Sequence, residues 1–248
     1  MKEVIYDEIY GRRGYQEPRG LVSWLYRSLK RFEENRFHGV LSLLEKGERL
    51  LDVGCGNGDF CVMTKGLFSD VCGIDVSPVR ITNAEEKIST RQDKKNFHFV
   101  QHDVDESLPF PDDFFDAVTC IATLEYIVCP SRVIMEMRRV LKPRGCIIVQ
   151  VANIAFLPCR FTLLSGKLPT LGGIDAIGVD WERLHSFTKQ VIVRFLMSRG
   201  FDVVDLSCSG IFPRTRRLWL SLLASDIIVK AMKSNSKHKG QNVTHCSG

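Results

Sequence analysis

The sequence predicts an α/β fold in which helices cover both faces of a doubly wound, mostly parallel β-sheet. Two observations favour this fold class. Short apolar runs of strand length alternate along the chain with longer segments whose apolar residues recur at helical spacing. The chain also has no internal repeat, and its 248 residues with 44% hydrophobic content can bury one sizeable core. Strands that alternate with helices require right-handed crossovers, so we expect parallel neighbouring strands within a single domain.

The elements can be followed in chain order. Apolar residues at helical spacing from Leu21 to Leu44 predict one or two amphipathic helices before the sheet begins. Ser77 followed by Pro78 marks the clearest helix start, because it combines an N-cap with a proline in the first turn. Seven runs are typical of buried strands: RLLDVG, DVCGID, NFHFVQHD, FFDAVTCIA, CIIVQVA, FDVVDLSCSG and SDIIVKAM. The helices predicted between them lie in DFCVMTKGLF, after Ser77, from Ile134 to Leu141, in TKQVIVRFLMSRG and near Leu218 to Leu223.

Three stretches lie outside this alternation. Residues 1–47 are predicted to hold the N-terminal helices. Residues 153–187 show little periodicity and are predicted to be an irregular, inserted lid or acceptor segment. Residues 234–248 are polar and basic, which predicts a disordered tail. The single domain is therefore expected to span residues 1–233.

The composition argues against several protein classes. No window approaches the roughly 18 consecutive apolar residues of a membrane span. Charges interrupt the N-terminus where a signal peptide needs an apolar core, so we expect a cytoplasmic protein without a transmembrane segment. The nine cysteines show no CxxC pair and no zinc-type spacing, which favours small core residues in a reducing compartment. The net charge of +5 is mild, and the arginines of GRRGY and PRTRR form either a solvated face or a site for an anionic substrate.

Three glycines follow the first predicted strand at alternate positions: Gly54, Gly56 and Gly58 in LLDVGCGNGDF. In a doubly wound sheet, ligands bind beyond the carboxyl ends of the strands, and glycine permits close backbone approach. The spacing is GxGxG rather than GxGxxG because Asp59 stands where the third glycine would be, which disfavours NAD and FAD. No GK[ST] follows, so a triphosphate-binding P-loop is excluded.

Two aspartates follow the next two predicted strands. Asp75 ends the second strand, where a carboxylate can accept hydrogen bonds from both hydroxyls of a ribose. Asp103 ends the third strand and is placed to bind the exocyclic amino group of an adenine ring. Taken alone, either aspartate is explained equally well as a turn residue or as a ligand-binding residue. The glycines and both acids, however, occur in the order in which they would contact one nucleoside, which predicts a nucleoside-containing cofactor.

These motifs resemble those of the class I S-adenosylmethionine-dependent methyltransferases, the type 11 group in particular. The resemblance is close over residues 49–152, in LLDVGCGNGDF, VCGIDVS, HDVDESLPFPDDFFDAVTC and EMRRVLKPRGCIIVQVAN. It implies a Rossmann-like sheet of seven strands, with SDIIVKAM inserted antiparallel beside FDVVDL, and an N-terminal lid formed by YDEIYGRRGY. It also implies S-adenosyl-L-methionine as cofactor and S-adenosyl-L-homocysteine as product. The residues then expected to bind the cofactor are Asp52, Gly54, Cys55, Gly56, Asn57, Gly58, Asp75, Val76, Asp103, Val104, Cys120 and Ile121.

The same resemblance leaves few catalytic candidates. Metal-using relatives carry a segment like SEVLEH after the fourth strand, with acids and a histidine around the acceptor hydroxyl. Here the segment is IATLEY, in which Tyr126 replaces the histidine and Glu125 is the one acid left, so a metal-independent reaction is expected. Tyr126 either lines the active site or only packs. His185 matches a histidine common in similar sequences and is the remaining candidate base, with a structural hydrogen-bonding role as the alternative.

The predicted function is methyl transfer from S-adenosylmethionine to oxygen or nitrogen of a small-molecule acceptor. Two alternatives stay open: a non-catalytic partner protein that binds the cofactor, and an RNA methyltransferase. A nucleic-acid substrate is not expected, because IATLEY contains neither the (D/N)PP(Y/F) motif of amino-methylating enzymes nor the Pro-Cys of cytosine C5 enzymes. The sequence determines neither the acceptor nor the oligomeric state.

Overall fold

The computed structural model describes residues 33–169 and 183–234. The strands are β1 (Glu33–Glu34), β2 (Gly47–Val53), β3 (Phe68–Asp75), β4 (Phe97–Gln101), β5 (Phe115–Ile121), β6 (Leu141–Ala152), β7 (Phe201–Ser207), β8 (Gly210–Ile211) and β9 (Asp226–Lys233). The helices are α1 (Arg36–Leu41), α2 (Asp59–Met63), α3 (Pro78–Ser89), α4 (Pro130–Val140), α5 (Leu157–Leu164), α6 (Lys189–Ser198), α7 (Pro213–Arg217) and α8 (Leu220–Leu223). The predicted lid YDEIYGRRGY, the part of the insertion at 170–182 and the tail from residue 235 onward lie outside the described residues.

Seven strands form one sheet in the order β4–β3–β2–β5–β6–β9–β7. The five strands from β4 to β6 are parallel to one another, and β9 is antiparallel to both of its neighbours, β6 and β7. The predicted fold class is confirmed, including the antiparallel position of SDIIVKAM beside FDVVDL. Because β3 and β5 lie on opposite sides of β2, the winding reverses at β2, and its carboxyl end is where a doubly wound sheet binds ligands.

Apolar side chains fill both faces of this sheet. Met137 of α4 and Leu196 of α6 are fully buried in the cluster on one face. Phe60 of α2 and Ile81 of α3 are buried in the cluster on the other. Apolar burial stabilises a fold by about 25 cal/mol per Å², so the strands that end at the ligand-binding edge are held from both sides.

The helix predicted over DFCVMTKGLF is shorter in the structure. α2 ends at Met63, and the hydroxyl of Thr64 donates a hydrogen bond to the carbonyl oxygen of Cys61 at 2.7 Å. Phe68 is already the first residue of β3, where it is buried and pairs with Gly47 of β2. The apolar end of the predicted helix therefore belongs to the sheet, because a short apolar run fits either element.

One expectation about the chain after β6 is wrong. The segment 153–187, predicted to be irregular, contains the eight-residue helix α5. Cys159 is the one buried residue of α5, so no apolar stripe faces a core and the sequence lacks the usual helical pattern.

A second, two-stranded sheet lies outside the main sheet. It is formed by β1 and β8, in which Glu34 pairs with Gly210. Within the described ranges, no helix is both long and apolar enough to cross a bilayer. Eight of the nine cysteines lie in these ranges and all eight are buried, as expected for small core residues.

Candidate active site

The turn between β2 and α2 is fixed tightly to its neighbours on one side. Gly54 has a φ angle of 77°, and the backbone N–H groups of Gly54 and Cys55 donate to the carbonyl oxygen of Ile74 at 2.8 and 2.9 Å. A Cβ atom on Gly54 would overlap the side chain of Thr123, which follows β5. The first glycine is therefore required by both its backbone angle and its contact with the neighbouring loop.

The same turn is open on its other side, at Gly56. A Cβ atom there would meet nothing closer than Arg80 Nη1 at 3.5 Å. Gly56 lines a cavity of about 390 Å³, within the range of about 300–1,000 Å³ typical of small-molecule sites. Its N–H donates to Asp75 Oδ2 at 2.9 Å. A ligand in this cavity can therefore approach the glycine backbone and the first predicted acid together.

Asp75 and Asp103 both line this cavity. Asp75 is 7% exposed, and its carboxylate oxygens accept hydrogen bonds from the N–H groups of Gly56 and Ser77 at 2.9 and 3.0 Å. Each carboxylate oxygen has more than one acceptor position, so Asp75 keeps capacity for further donors. Asp103 lies beyond the end of β4 rather than at its last residue, and its Oδ1 accepts from the N–H of Asp105 at 3.0 Å.

Asp52 is a third carboxylate at the cavity and is 2% exposed. It accepts hydrogen bonds from Thr119 Oγ1 at 2.7 Å and from Cys61 Sγ at 3.6 Å. Burial raises the pKa of Asp52 to about 6; the hydrogen bonds from Thr119 and Cys61 lower it, and the charge of Asp75 raises it. Asp52 therefore changes its charge in the mildly acidic range.

The structure brings most of the predicted cofactor residues to this one cavity. Parallel strands end at the same edge of the sheet, so residues far apart in the chain meet there. Those that line the cavity are Asp52, Gly54, Cys55, Gly56, Asn57, Asp75, Val76, Asp103, Val104 and Ile121, together with the catalytic candidate Tyr126.

Three predicted site residues do not line the cavity. A Cβ atom on Gly58 would come within 2.7 Å of Phe99 and 3.1 Å of Ala84, so this glycine allows close packing of the turn on α3 and β4. Cys120 is fully buried in the core within β5. His185 precedes α6, and its backbone N–H donates to the carbonyl oxygen of Glu125, which does not line the cavity either.

Ten residues that the sequence reasoning missed also line the cavity: Arg36, Phe37, Asp59, Phe60, Arg80, Asp105, Ala122, Thr123, Ile127 and Arg183. Asp105 has a clear positioning role, because it accepts hydrogen bonds from the N–H groups of Val128 and Cys129 at 3.1 and 2.9 Å. These bonds hold the turn after β5 against the loop after β4. Most of the ten are close in sequence to predicted site residues, which could have indicated them. Arg183 stands two residues before the predicted His185, whereas Arg36 and Phe37 come from a distant segment that no sequence pattern marks.

Glu125 lies buried beside the Tyr126 end of the cavity, with 2% of its surface exposed. Its Oε1 accepts a hydrogen bond from the N–H of Ala152 at 2.8 Å, and no described residue bonds to Oε2. Burial raises the pKa of Glu125, whereas the bond from Ala152 and the positive charges of Arg183 and Arg36 lower it. Because both arginines line the cavity, its wall at this end carries positive charge with a carboxyl group behind it.

His185 is held by the same turn. Its backbone N–H and that of Leu184 donate to the carbonyl oxygen of Glu125 at 3.0 and 2.8 Å. The imidazole Nε2 is buried and has no hydrogen-bond partner among the described residues. The hydrogen bond of His185 is therefore made by its backbone to Glu125, which adjoins the cavity-lining Tyr126. Its role as a base stays a prediction.

Acidic side chains are numerous around the cavity, yet they are dispersed. In residues 33–169 and 183–234, no three His, Cys, Asp or Glu side chains lie close enough together to hold a metal ion. In Glu125, the one acid left in IATLEY, a carboxylate oxygen already accepts a hydrogen bond from the backbone N–H of Ala152.

Comparison with known proteins identifies the family. Residues 51–149 match the family described as a methyltransferase domain. The ubiquinone/menaquinone biosynthesis C-methyltransferase UbiE of Francisella philomiragia is 33% identical over 176 residues, which cover 65% of this chain and 70% of that protein. The protein of the same name from Pectobacterium atrosepticum is 30% identical over 185 residues, 68% of this chain and 72% of its own length. This chain belongs to the S-adenosylmethionine-dependent methyltransferases.

Solved structures agree with the methyltransferase fold. A chain of the complex between the Haloferax volcanii Trm112 methyltransferase activator and its methyltransferase superposes with a TM-score of 0.60 and 16% identity, over 86% of this chain and 95% of the other. The [4+2]-cyclase SpnF superposes with a TM-score of 0.58 and 21% identity, over 93% and 92%. At these identities the likeness concerns the fold alone, and the cyclase shows that this fold carries other reactions. Methyl transfer, with S-adenosylmethionine as cofactor, therefore rests on the sequence relatives, which do not favour the non-catalytic alternative.

Proposed function

We propose that this methyltransferase transfers the methyl group of S-adenosylmethionine to a carbon atom of a small acceptor that carries an ionisable hydroxyl group. The observation that carries the proposal is that one cavity is lined both by Asp75 and Asp103 and by Tyr126 and Arg183. A cofactor and an acceptor can therefore share a single enclosure. Methyl transfer depends mainly on holding two reactants in line and excluding water, which such an enclosure provides.

The residues at the glycine turn fit the cofactor. When bound, S-adenosylmethionine supplies a methyl group on a positively charged sulfur. Asp75 has acceptor capacity for the ribose hydroxyls, and Asp103 would accept a hydrogen bond from the adenine amino group. The open space beside Gly56 leaves room for the cofactor against the backbone, where a larger residue would fill the cavity.

The other end of the cavity favours an acceptor that reacts as an oxyanion. Arg36 and Arg183 line the cavity there, and each lowers the pKa of Glu125 through its positive charge. The same charges would lower the pKa of an acceptor hydroxyl and stabilise its oxyanion. Once that proton had passed to solvent, the neighbouring carbon of the phenolate or enolate could attack the methyl group as the S–CH₃ bond breaks and S-adenosylhomocysteine leaves. The hydrogen on the methylated carbon would then be lost to solvent as a proton.

The names of the sequence relatives favour carbon over the oxygen or nitrogen expected from the sequence. Both relatives compared above are named C-methyltransferases. The same arginines would also support O-methylation, because an oxyanion can itself attack the methyl group. The position of the transferred methyl therefore decides between the two, and it has to be measured on the product.

The test is a transfer assay with the full chain, labelled S-adenosylmethionine and paired acceptors. Each pair consists of a hydroxylated aromatic compound and the amine of the same skeleton, and the methyl position is assigned by nuclear magnetic resonance. We expect label on carbon in the hydroxylated series and none in the amines. Label on oxygen or nitrogen would contradict the carbon assignment. Binding of S-adenosylhomocysteine without transfer to any acceptor would instead support the non-catalytic alternative.

A further inference from the structure

Two segments at the carboxyl edge of the sheet expose large apolar side chains. In the segment that follows β6, Phe161, Leu164 and Leu168 are 63%, 83% and 62% exposed. In the segment before β9, Leu218 and Trp219 are 84% and 61% exposed. Side chains of this size are usually buried, and their concentration in two short segments indicates an interaction surface.

The two segments are neighbours in space. They leave the sheet at the same place, because Ala152 at the end of β6 pairs with Asp226 at the start of β9. The side-chain amide of Asn153 donates to the carbonyl oxygen of Ala224 at 2.8 Å. The guanidinium carbon of Arg216 lies 5.8 Å from the ring centre of Phe156, one residue before α5. The segments therefore form one region, which we call the α5–α7 surface: residues 156–168 and 212–219.

The charges of this surface are all of one sign. Its basic residues are Arg160, Lys167, Arg214, Arg216 and Arg217. No acidic residue occurs in 153–169 or in 206–225, although the whole chain carries 29. None of the five forms a salt bridge with a residue that the structure describes. Within residues 33–169 and 183–234, the surface thus combines apolar side chains with positive charge that no carboxylate pairs.

The order of residues favours a lipid surface over a protein partner. Arg160 stands directly before Phe161, Lys167 before Leu168, and Arg217 before Leu218 and Trp219. Protein interfaces are depleted of lysine, although they are enriched in arginine and aromatic residues, and a protein partner would have to supply carboxylates to pair these cations. At a bilayer surface, by contrast, aromatic and leucine side chains enter the acyl boundary while neighbouring long cations reach anionic headgroups.

We propose that the α5–α7 surface docks on a bilayer that carries anionic headgroups. Docking would also orient the cavity, because residues 184–187 contact both the start of the α5–α7 surface and the backbone beside the cavity. Ile154 N–H donates to Phe187 O at 3.0 Å, and Leu184 N–H donates to Glu125 O, beside the cavity-lining Tyr126. Docking would therefore bring the Arg183 side of the cavity near the lipid surface. That consequence for acceptor supply rests on the proposed function, whereas the docking does not.

The test is co-sedimentation of the full chain with vesicles. Vesicles of phosphatidylcholine mixed with phosphatidylglycerol are compared with vesicles of phosphatidylcholine alone. We expect binding at least about tenfold tighter to the anionic vesicles, and a decrease with rising salt concentration because counterions screen the surface charge.

Two variants separate the apolar and the charged contributions. A triple variant, Phe161→Ser, Leu164→Ser and Trp219→Ser, is expected to lose binding to both kinds of vesicle. A double variant, Arg160→Gln and Lys167→Gln, is expected to lose about tenfold on anionic vesicles and little on neutral ones. The matched control carries Val191→Ser, Val204→Ser and Arg194→Gln, exposed positions on α6 and β7, and should bind as the parent does.

Several outcomes would overturn the docking proposal. One is the absence of binding to any vesicle; another is equal binding by parent and triple variant. A third is a concentration-dependent dimer that the triple variant abolishes while lipid binding stays absent, which would assign the surface to a second copy of the chain. Affinity for S-adenosylhomocysteine, measured by calorimetry on every variant, confirms that the cavity is intact. Failure of methyl transfer would not affect the vesicle result, so the two proposals fail separately.

Discussion

Single residues decide how closely the backbone of the cofactor turn approaches its neighbours. Gly54 and Gly66 have similar positive φ angles, 77° and 84°. A Cβ atom on Gly54 would overlap Thr123, whereas one on Gly66 would meet nothing within 4 Å. A substitution therefore strains the backbone at both positions, but it creates a steric overlap only at Gly54.

We expect Gly54→Ala to destabilise the protein more than Gly66→Ala. The shared left-handed backbone should cost each variant about 1–2 kcal/mol, and the overlap with Thr123 should add about 1–3 kcal/mol at Gly54. Urea unfolding at constant m-value measures both losses. Equal losses in the two variants would show that the contact with Thr123 relaxes freely.

The buried carboxyl of Asp52 should make stability depend on pH. The folded protein holds this proton up to a pKa of about 6, well above the unfolded value of about 3.8, so stability falls as pH rises between about 4 and 6. Near neutral pH the loss should reach about 3 kcal/mol, because one pKa unit corresponds to about 1.4 kcal/mol. The side chain of Asp52→Asn does not titrate. The free energy of unfolding of the variant, relative to that of the parent, should therefore rise by about 3 kcal/mol between pH 4 and pH 7.

The measurement for Asp52 is the free energy of unfolding of parent and variant across that pH range. Asp202→Asn, at an exposed position on β7, is the matched control and should keep the pH dependence of the parent. A constant difference between Asp52→Asn and the parent at every pH would contradict the assignment.

Tyr126 and His185 differ in their position relative to the cavity, and their substitution should differ accordingly. Tyr126 lines the cavity and His185 does not. We expect Tyr126→Phe to lower kcat/KM about tenfold, the effect of one lost hydrogen bond of about 1.4 kcal/mol. His185→Gln should change it less than about threefold and leave the pH profile unaltered. If His185→Gln instead abolished kcat together with one limb of the pH profile, the histidine would be the base.

Elements were predictable where a periodic pattern met a clear boundary. α3 begins where Ser77 and Pro78 indicated, and Ser77 Oγ accepts a hydrogen bond from the N–H of Arg80 at 3.3 Å. α5 was missed because its exposed apolar residues give no helical stripe. The β1–β8 pair was missed because two-residue strands are specified by their partner rather than by their own sequence.

The connection from β6 into α5 depends on one buried amide. Asn153 is fully buried; its Nδ2 donates to Ala224 O at 2.8 Å, with Leu220 O and Ser221 O at 3.3 and 3.4 Å. Its Oδ1 accepts from the N–H of Ala155 at 3.1 Å. The amide is thus one of the contacts that join the two segments of the α5–α7 surface, together with that of Arg216 with Phe156.

We expect Asn153→Ala to lower the free energy of unfolding by about 2–3 kcal/mol, since buried polar groups lose their partners. Asn153→Asp should cost more, because a carboxylate would face three carbonyl oxygens without a proton to donate. Chemical denaturation of both variants measures this order, with exposed Asn83→Ala expected to be neutral. The reverse order would show that the carboxyl is protonated or that the loop has moved away.

The cavity is a property of the whole molecule, since its lining comes from the ends of four strands and from segments on both sides of the sheet. Ligand that binds only the folded state stabilises it by mass action. S-adenosylhomocysteine at about 100 times its dissociation constant should therefore add about 2.7 kcal/mol to the free energy of unfolding.

That increase is measured as a shift of the urea midpoint at saturating ligand. Asp75→Ala should abolish most of the shift, because the carboxylate accepts hydrogen bonds within the cavity lining. Asp202→Ala, on the far edge strand β7, should retain it. An unchanged midpoint for the parent at high ligand concentration would contradict the site assignment.

The sequence by itself determined the fold class, and it indicated the glycine turn and the acids at 75 and 103 that line the cavity, because strand periodicity and φ constraints are local properties of the chain. The tertiary structure alone decided that Arg36 and Arg183 both line the cavity, that Gly58 and Cys120 are packed against other residues rather than exposed to it, and that His185 does not line it. The physical reason is that these positions depend on which distant segments pack together. Such packing is set by the burial of the whole core, to which each short stretch of sequence contributes only a part.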